Sequence, residues 1–525
     1  MSGKNHESNI TGAASVVGAA TILSRILGYL RDVTIAYFFG AGLLSDAFFV
    51  AFRISNLLRR LVGEGALTSS FIPVFTEERM KRSEGDTRDL VSSLFTLFAI
   101  ILIVTSLLGI LFSPWLVSFL SPGFLAEPEK YSLTVSLTRL MFPYIFFIGL
   151  MALGMGVLNT LKHFAAPAFA PVFFNLAIIV SILALAPFLE KPVYALAVGV
   201  LVGGALQFLI LVPFLRKYGF SLKPLFFFRD PAIRKIFALM GPAAFGVGIY
   251  QLNIFVTLWF ASRLSEGSVS YLYYAGRLME LPLGIFAVSV STAVLPSLAE
   301  YAALKEWVNF KKSLSFALRL VIFVTVPATV GLLILSLPII DVLFTHGEFT
   351  SKAASATSLA LYYYAPGLVP VALYRILTSV FYSMKDTVTP VITAFCSFLV
   401  NIIMCLLLVG PLQHAGLALA TTIAATFNMV LLFIILKRRL GRFDGRFILG
   451  SAVKNILAAL AMGVLIYLIL IFTGYGGLSS GGRVLFLGII LPVGAFAYFL
   501  ISWLQKAPEL SFFKDFLKKR RHGRA

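Results

Sequence analysis

The chain has 525 residues, of which 59% are hydrophobic and 13% charged, and it carries a formal net charge of +20. Its mean hydropathy of +0.94 means that it holds more apolar side chain than a water-soluble fold can bury, which excludes a soluble enzyme or binding module. A polytopic membrane protein remains, and because the apolar runs do not alternate with polar residues, a transmembrane barrel is excluded too.

A hydrocarbon core about 30 Å thick needs about 20 apolar residues per helix. The first ten residues, MSGKNHESNI, are polar and no compact apolar core with a small-residue cleavage site follows them, so the first span is expected to be retained. The predicted spans are 11–39, 43–74, 90–113, 131–158, 166–187, 193–215, 236–262, 268–299, 313–338, 354–383, 388–410, 415–436, 447–473 and 483–504, fourteen in all. No loop between them is long enough for a nucleotide-binding domain, and no GxxxxGK[ST] phosphate loop occurs. The five histidines are scattered over loops and ends without an HExxH pattern, so no catalytic metal is expected. Cys396 and Cys405, the two cysteines, lie on one predicted helix about 13 Å apart along its axis, too far for a disulfide.

The basic excess is distributed by loop. One alternate set of loops and termini holds 28 of the 43 Lys and Arg residues and the other set holds five, Lys130, Lys191, Arg263, Lys352 and Arg483. That asymmetry predicts that both termini are cytoplasmic, and it makes the charge topogenic rather than a nucleic-acid surface. The tail FFKDFLKKRRHGRA is also suited to lie on anionic lipid.

Ten basic residues are left inside the spans: Arg25, Arg31, Arg53, Arg59, Arg60, Arg139, Arg277, Arg319, Arg375 and Lys454. A central Arg or Lys facing lipid costs about 2.5 to 3.5 kcal/mol, so ten would cost on the order of 30 kcal/mol. Arg139, Arg319 and Lys454 lie near span ends and can snorkel. Arg25, Arg31, Arg59 and Arg277 are deeper and call for a water-filled cavity. The acids within the spans are Asp32, Asp46, Glu64 and Glu280. Paired one to one they still leave the interior positive, which suits an anion; the planar guanidinium fork suits phosphate in particular. Gly28, between Arg25 and Arg31, is expected to let its helix bend and turn both inward.

The segment SDAFFVAFRI at 45–54 aligns with SVSYLYYAGRLME at 268–280, pairing Ser45 with Ser270 and Phe52 with Arg277, and Pro73 falls near Pro296 in the segments that follow. The offset of about 225 residues equals six spans, an even number, and predicts a parallel repeat of two bundles around a central site. The fold class expected is therefore all-α, with fourteen transmembrane helices in two six-helix lobes, plus two added helices. The domains expected are 1–218, 219–440 and 441–525.

The stretches SRILGYLRD, SDAFFVAFRISNLLRRLVGEGALTSSFIPVF and SVSYLYYAGRLMELPLG together resemble the MurJ (MviN) family of the multidrug/oligosaccharidyl-lipid/polysaccharide exporter superfamily. The resemblance implies a lipid II flippase of the bacterial inner membrane, which carries undecaprenyl-diphosphate bearing the peptidoglycan disaccharide-pentapeptide to the outer leaflet by alternating access around a cationic cavity. It implies that Arg25, Arg31 and Arg277 contact the diphosphate and sugar-proximal groups, with Arg59 on the cavity wall, and that the last two helices hold the lipid tail. Arg53 and Asn56 add polar contacts, Asn56 standing one helical turn from both Arg53 and Arg59. Asp46 is implied as a gate residue, with Asp32, Glu64 and Glu280 as further gating or ion-pair acids. A sodium site in some members would fall here near Asn253, Asn401 and Thr421, a region without a buried carboxylate. No cofactor is expected; the energy source expected is the membrane potential or a cation gradient. The partners expected are lipid II and membrane lipids, with the chain acting as a monomer. The alternatives are an exporter of another polyprenyl-linked glycan, a drug antiporter of the sister branch, which would want buried carboxylates in excess, and a membrane glycosyl- or phosphotransferase, which would want an acidic metal-binding loop.

Overall fold

The structure, a computed structural model, describes residues 2–59, 67–284, 288–441 and 445–510. Every regular element among them is helical. The chain divides into two compact units, Met1–Ser270 with Gly347–Phe349, and Tyr271–His346 with Thr350–Ala525.

The first unit is built from α1 (Ser2–Phe39), α2 (Leu43–Leu58), α3 (Leu67–Lys81), α4 (Glu84–Leu120), α5 (Pro128–Met141), α6 (Tyr144–Thr160), α7 (Ala165–Leu185), α8 (Tyr194–Leu209), α9 (Val212–Lys217) and α10 (Pro231–Ala261). Without a hydrophobic drive between helices in lipid, close packing and small residues must hold them together. On α8, Gly199 and Gly203 let α7 approach so closely that a Cβ on Gly199 would lie 2.8 Å from Ile178 Cα. α7 also packs along α1, α2 along α5, and α3 along both α6 and α10. The opposite face of α4 carries Leu107, Leu111, Phe112, Trp115 and Phe119 exposed, the side chains a helix presents to acyl chains. The expected bend at Gly28 opens no break, since α1 is helical from end to end.

The second unit contains most of α11 (Ser268–Pro282), then α12 (Val288–Ala303), α13 (Trp307–Ile334), α14 (Ser336–Phe344), α15 (Ser351–Tyr364), α16 (Leu368–Ser383), α17 (Val388–Leu440), α18 (Gly445–Phe472) and α19 (Ser480–Leu504). Its core lies where α13 meets α18 and α19, around Phe323, Met462, Ile466, Ile490 and Tyr498. α17 has 53 residues and a break at Gln413, whose φ of 52° and ψ of −133° are not helical. About 80 Å of helix at 1.5 Å per residue is far more than one membrane thickness, so α17 holds two passes, matching the separate spans expected at 388–410 and 415–436.

Among the described residues nine helices are long and apolar enough to cross a membrane, α17 counted once. Together with α1, α10 and the helix pairs α2/α3 and α11/α12, they accord with fourteen passes. Those four additional passes are the first two of each repeat, and all but the α10 pass hold deep arginines among Arg25, Arg31, Arg59 and Arg277. The repeat itself is visible in the helix starts: Leu43 and Ser268, Pro128 and Ser351, Tyr144 and Leu368, and Ala165 and Val388 are separated by 225, 223, 224 and 223 residues. By the same offset α10 is the counterpart of α1, although it packs on α3 and α4 inside the first unit.

Candidate anion-binding site

In the first unit the predicted arginines sit in two settings. Arg31 on α1 is 8% exposed. Its Nε and one terminal nitrogen donate to Asp32 Oδ1 at 3.1 and 2.7 Å, and the other terminal nitrogen donates to Asn175 Oδ1 on α7 at 3.0 Å. The Asn175 amide nitrogen donates in turn to the Ser24 carbonyl at 3.1 Å, so the cluster ties α1 to α7. A guanidinium this far from water is tolerable only because a carboxylate and an amide occupy its donors. Arg25, Arg53 and Arg59 are half-buried and keep part of their surface open. Arg59 Nε donates to Asn56 Oδ1 at 2.6 Å, three residues back along the chain. Glu64 and Arg60 lie outside the described residues.

Asp46, 1% exposed on α2, forms a second cluster. Its carboxylate accepts from the Gly267 and Ser270 backbone N–H groups at 2.8 and 2.9 Å and from Ser270 Oγ at 2.6 Å, capping the start of α11. Glu266 does the reciprocal service, accepting from Leu43 N at 2.6 Å where α2 begins. Ser45 and Ser270, paired by the internal repeat, lie 2.9 Å apart through their hydroxyls. Lys130 completes the cluster at 3.1 Å from Asp46 Oδ2 and 4.5 Å from the Phe124 ring centroid. The loop-charge count places Lys130 among the five cations of the less basic loops; in the structure it lies on α5 and is 1% exposed.

In the second unit Arg277 NH1 donates to Glu280 Oε2 at 2.5 Å, one helical turn along α11, with side-chain exposures of 27% and 55%. A pair so accessible can exchange partners with an incoming anion, since exposed ion pairs are weak. Arg319 does not snorkel as expected: it is buried, donates to Glu509 Oε1 at 3.0 Å and lies 4.3 Å from the Phe447 ring. Glu509 also accepts from Ser451 Oγ at 2.7 Å.

The residues named for sodium have mostly protein partners. Thr421 Oγ1 donates to the Leu417 carbonyl at 3.0 Å, and the buried Asn401 oxygen faces Cys405 Sγ at 3.9 Å. Asn253 belongs to the first unit and is half-buried on α10. Among the described residues no group of three His, Cys, Asp or Glu side chains is arranged to hold a metal. Outside the spans, burial holds the His163 imidazole below its usual pKa, with Lys217 adding to the shift, and it packs on Phe214 and Tyr218 as an aromatic rather than a ligand.

Between the end of α3 and the start of α10, Arg82 grips Asp230 with two terminal nitrogens at 2.5 and 2.8 Å. That guanidinium, ahead of a backbone bond from Ala232, holds the Asp230 carboxyl below its ordinary pKa. Lys235 and Lys81 hold Glu77 down to about 2.

Comparison with known proteins identifies a family. A family model described as lipid II flippase MurJ matches residues 35–486. The chain is 39% identical over 444 residues to the lipid II flippase MurJ of Burkholderia cenocepacia, covering 82% of this chain and 84% of that one. It is 34% identical over 512 residues to the probable lipid II flippase MurJ of Bdellovibrio bacteriovorus, covering 97% of both. A solved structure of a lipid II flippase MurJ in an inward closed conformation superposes with a TM-score of 0.79 at 30% identity, over 95% of this chain and 99% of that one. An inward-facing multidrug resistance transporter of the MATE family shares the fold alone, with a TM-score of 0.66 at 14% identity over 81% of this chain and 98% of that one. The chain belongs to the family of the lipid II flippase MurJ.

Proposed function

We propose that this chain moves lipid II across the bacterial inner membrane and that its half-open guanidinium groups are what hold the diphosphate on the way. The observation that carries the reading is the placing of Arg25, Arg53, Arg59 and Arg277 within helical spans, partly open, in a chain of this family. In a low-dielectric surrounding, charge-assisted bonds from such forks to phosphate are among the strongest polar contacts a protein makes. Arg31 joins them only if its bonds to Asp32 and Asn175 are exchanged, so in the arrangement described it positions α1 against α7. Asp46, with Ser270 and Lys130, serves as the latch at the outer end of α2, and Asp32 and Glu280 are the acids whose arginines the diphosphate competes for. Glu64 is assigned the same class of role by the family resemblance. The exposed apolar faces of α18 and α19, including Leu457, Leu460, Phe496 and Trp503, suit an isoprenoid tail left in lipid. Both termini are cytoplasmic on the loop charges, the chain works as a monomer without a cofactor, and the cycle is alternating access.

Reconstituted protein tests this with labelled lipid II. Arg277→Ala and Arg59→Ala should each lower the translocation rate by about 10-fold or more, the effect of losing roughly 1.5 to 3 kcal/mol of charge-assisted bonding, with Arg277→Lys intermediate and insertion unchanged. Wild-type rates in both alanine variants would remove the arginine mechanism. Equal transport of an unrelated polyprenyl-linked glycan would favour a general exporter instead.

A further inference from the structure

We infer that residues 221–229, SLKPLFFFR, form a wedge that dips into the cytoplasmic leaflet and binds an anionic phospholipid headgroup. The segment links α9 to α10 and has no regular structure over residues 220–227. Its path can be read against α4, whose apolar run begins at Leu90. Ser92 Oγ donates to the Ser221 carbonyl at 3.1 Å, and the Leu225 N–H donates to Thr96 Oγ1 at 2.9 Å. Thr96 is six residues beyond Leu90, which puts Leu225 about 9 Å along the helix into the apolar part at 1.5 Å per residue. Five residues later Asp230 is back at the level of Arg82, before α4 starts, held by both terminal nitrogens of that arginine. The chain therefore goes in and comes out again.

Non-helical backbone at membrane depth is tolerated only where its polar groups are bonded within the protein. Here the Ser92 and Thr96 hydroxyls do that at two points, and the Lys223 N–H donates to the Ser221 carbonyl at 2.8 Å. This gives Ser92 and Thr96, two of the three hydroxyls at the start of the apolar run of α4, a reason to be there. Just past the deepest point, Phe226 and Phe227 are 71% and 59% exposed. Two adjacent aromatics open to solvent would be a liability on a cytoplasmic loop, but at this depth they face the acyl and glycerol region where aromatic rings are favoured. Lys223 and Arg229 flank them, both exposed, with Arg216 and Lys217 on the last turn of α9. Apolar rings between basic residues complement an anionic lipid, whose phosphate meets the cations while its chains meet the rings.

The test uses the full chain with Cys396→Ala and Cys405→Ala, a nitroxide on Phe227→Cys, and a reference nitroxide on Lys305→Cys, an exposed loop position. In phosphatidylcholine vesicles containing one quarter phosphatidylglycerol, the label at 227 should collide with a water-soluble nickel chelate about 5-fold less than the label at 305 and more with oxygen, as expected of an interfacial site. Equal nickel accessibility at the two positions would overturn the wedge. Native mass spectrometry from the same vesicles should find that wild type retains about one more phosphatidylglycerol than Lys223→Gln/Arg229→Gln, the loss expected of two interfacial cations. Equal retention would overturn the anionic headgroup. Neither readout depends on transport, so both stand or fall apart from the flippase reading.

Discussion

A lysine ammonium that is 1% exposed must be matched by a carboxylate, and Asp46 at 3.1 Å from Lys130 Nζ supplies it. Asp46 is doubly committed, because the Gly267 and Ser270 N–H groups and the Ser270 hydroxyl also point at its two oxygens. Removing Lys130 strands a buried anion with hydrogen bonds but no counter-charge, and breaking one side of a buried pair costs about 3 kcal/mol or more. Lys130→Met is thus expected to lower thermal stability in detergent clearly, while Lys130→Met/Asp46→Asn recovers part of the loss, since the stranded charge is gone and the amide oxygen still accepts from Ser270, although the amide nitrogen replaces the acceptor of the Gly267 N–H. A double-mutant cycle from thermal unfolding measures this coupling; additive losses would mean the pair is incidental. The partners of buried charges were hard to read in the sequence for a simple reason. Arg31 could be seen as deep, but its partner Asn175 is 144 residues away, and Glu509 is 190 residues from Arg319. Hydropathy reports depth and says nothing of which distant polar atom lies opposite.

At the scale of elements the sequence was far more legible, because a bilayer imposes one length on every helix. The apolar run at 90–113 falls inside α4, and those at 166–187 and 447–473 end within two residues of the ends of α7 and α18. The spans expected at 43–74 and 268–299 are each occupied by two described helices, α2 with α3 and α11 with α12; residues 60–66 and 285–287, between them, lie outside the described residues. The turn inside α17 has a clearer local cause. Gln413 takes φ 52° and ψ −133°, a region that costs a side-chain-bearing residue about 1 to 3 kcal/mol and a glycine little. It is exposed, and its amide makes only a 3.3 Å bond to the Gly410 carbonyl. Gln413→Gly should therefore raise the melting temperature slightly, by about 0.5 to 1 kcal/mol of stability. Leu412→Gly, one residue earlier with negative φ, should lower it. A loss of stability in both would show that the turn is not strained at Gln413.

For the whole molecule, the repeat of helix starts at offsets of 223 to 225 residues means that both halves insert in one orientation, because the offset spans an even number of passes. The loop charge of the sequence, 28 basic residues in one alternate set of loops and termini and five in the other, favours the basic set on the cytoplasmic side. The energy source we propose for such a cycle is the membrane potential. A diphosphate moved outward is a negative charge leaving a negative interior, favoured by about 2.3 kcal/mol per charge per 100 mV. Up to about 50-fold in equilibrium distribution per charge is available at that potential, by the factor of ten per 1.4 kcal/mol. Vesicles with the protein oriented cytoplasmic side inward should accordingly export lipid II faster when a potassium diffusion potential makes the lumen negative, and slower when the sign is reversed. The dependence should persist with sodium replaced by choline on both sides, because the protein groups named for sodium include no buried carboxylate. Rates that ignore the imposed potential but follow a sodium gradient would assign the driving force to the cation, carried in a cycle that moves no net charge across the membrane.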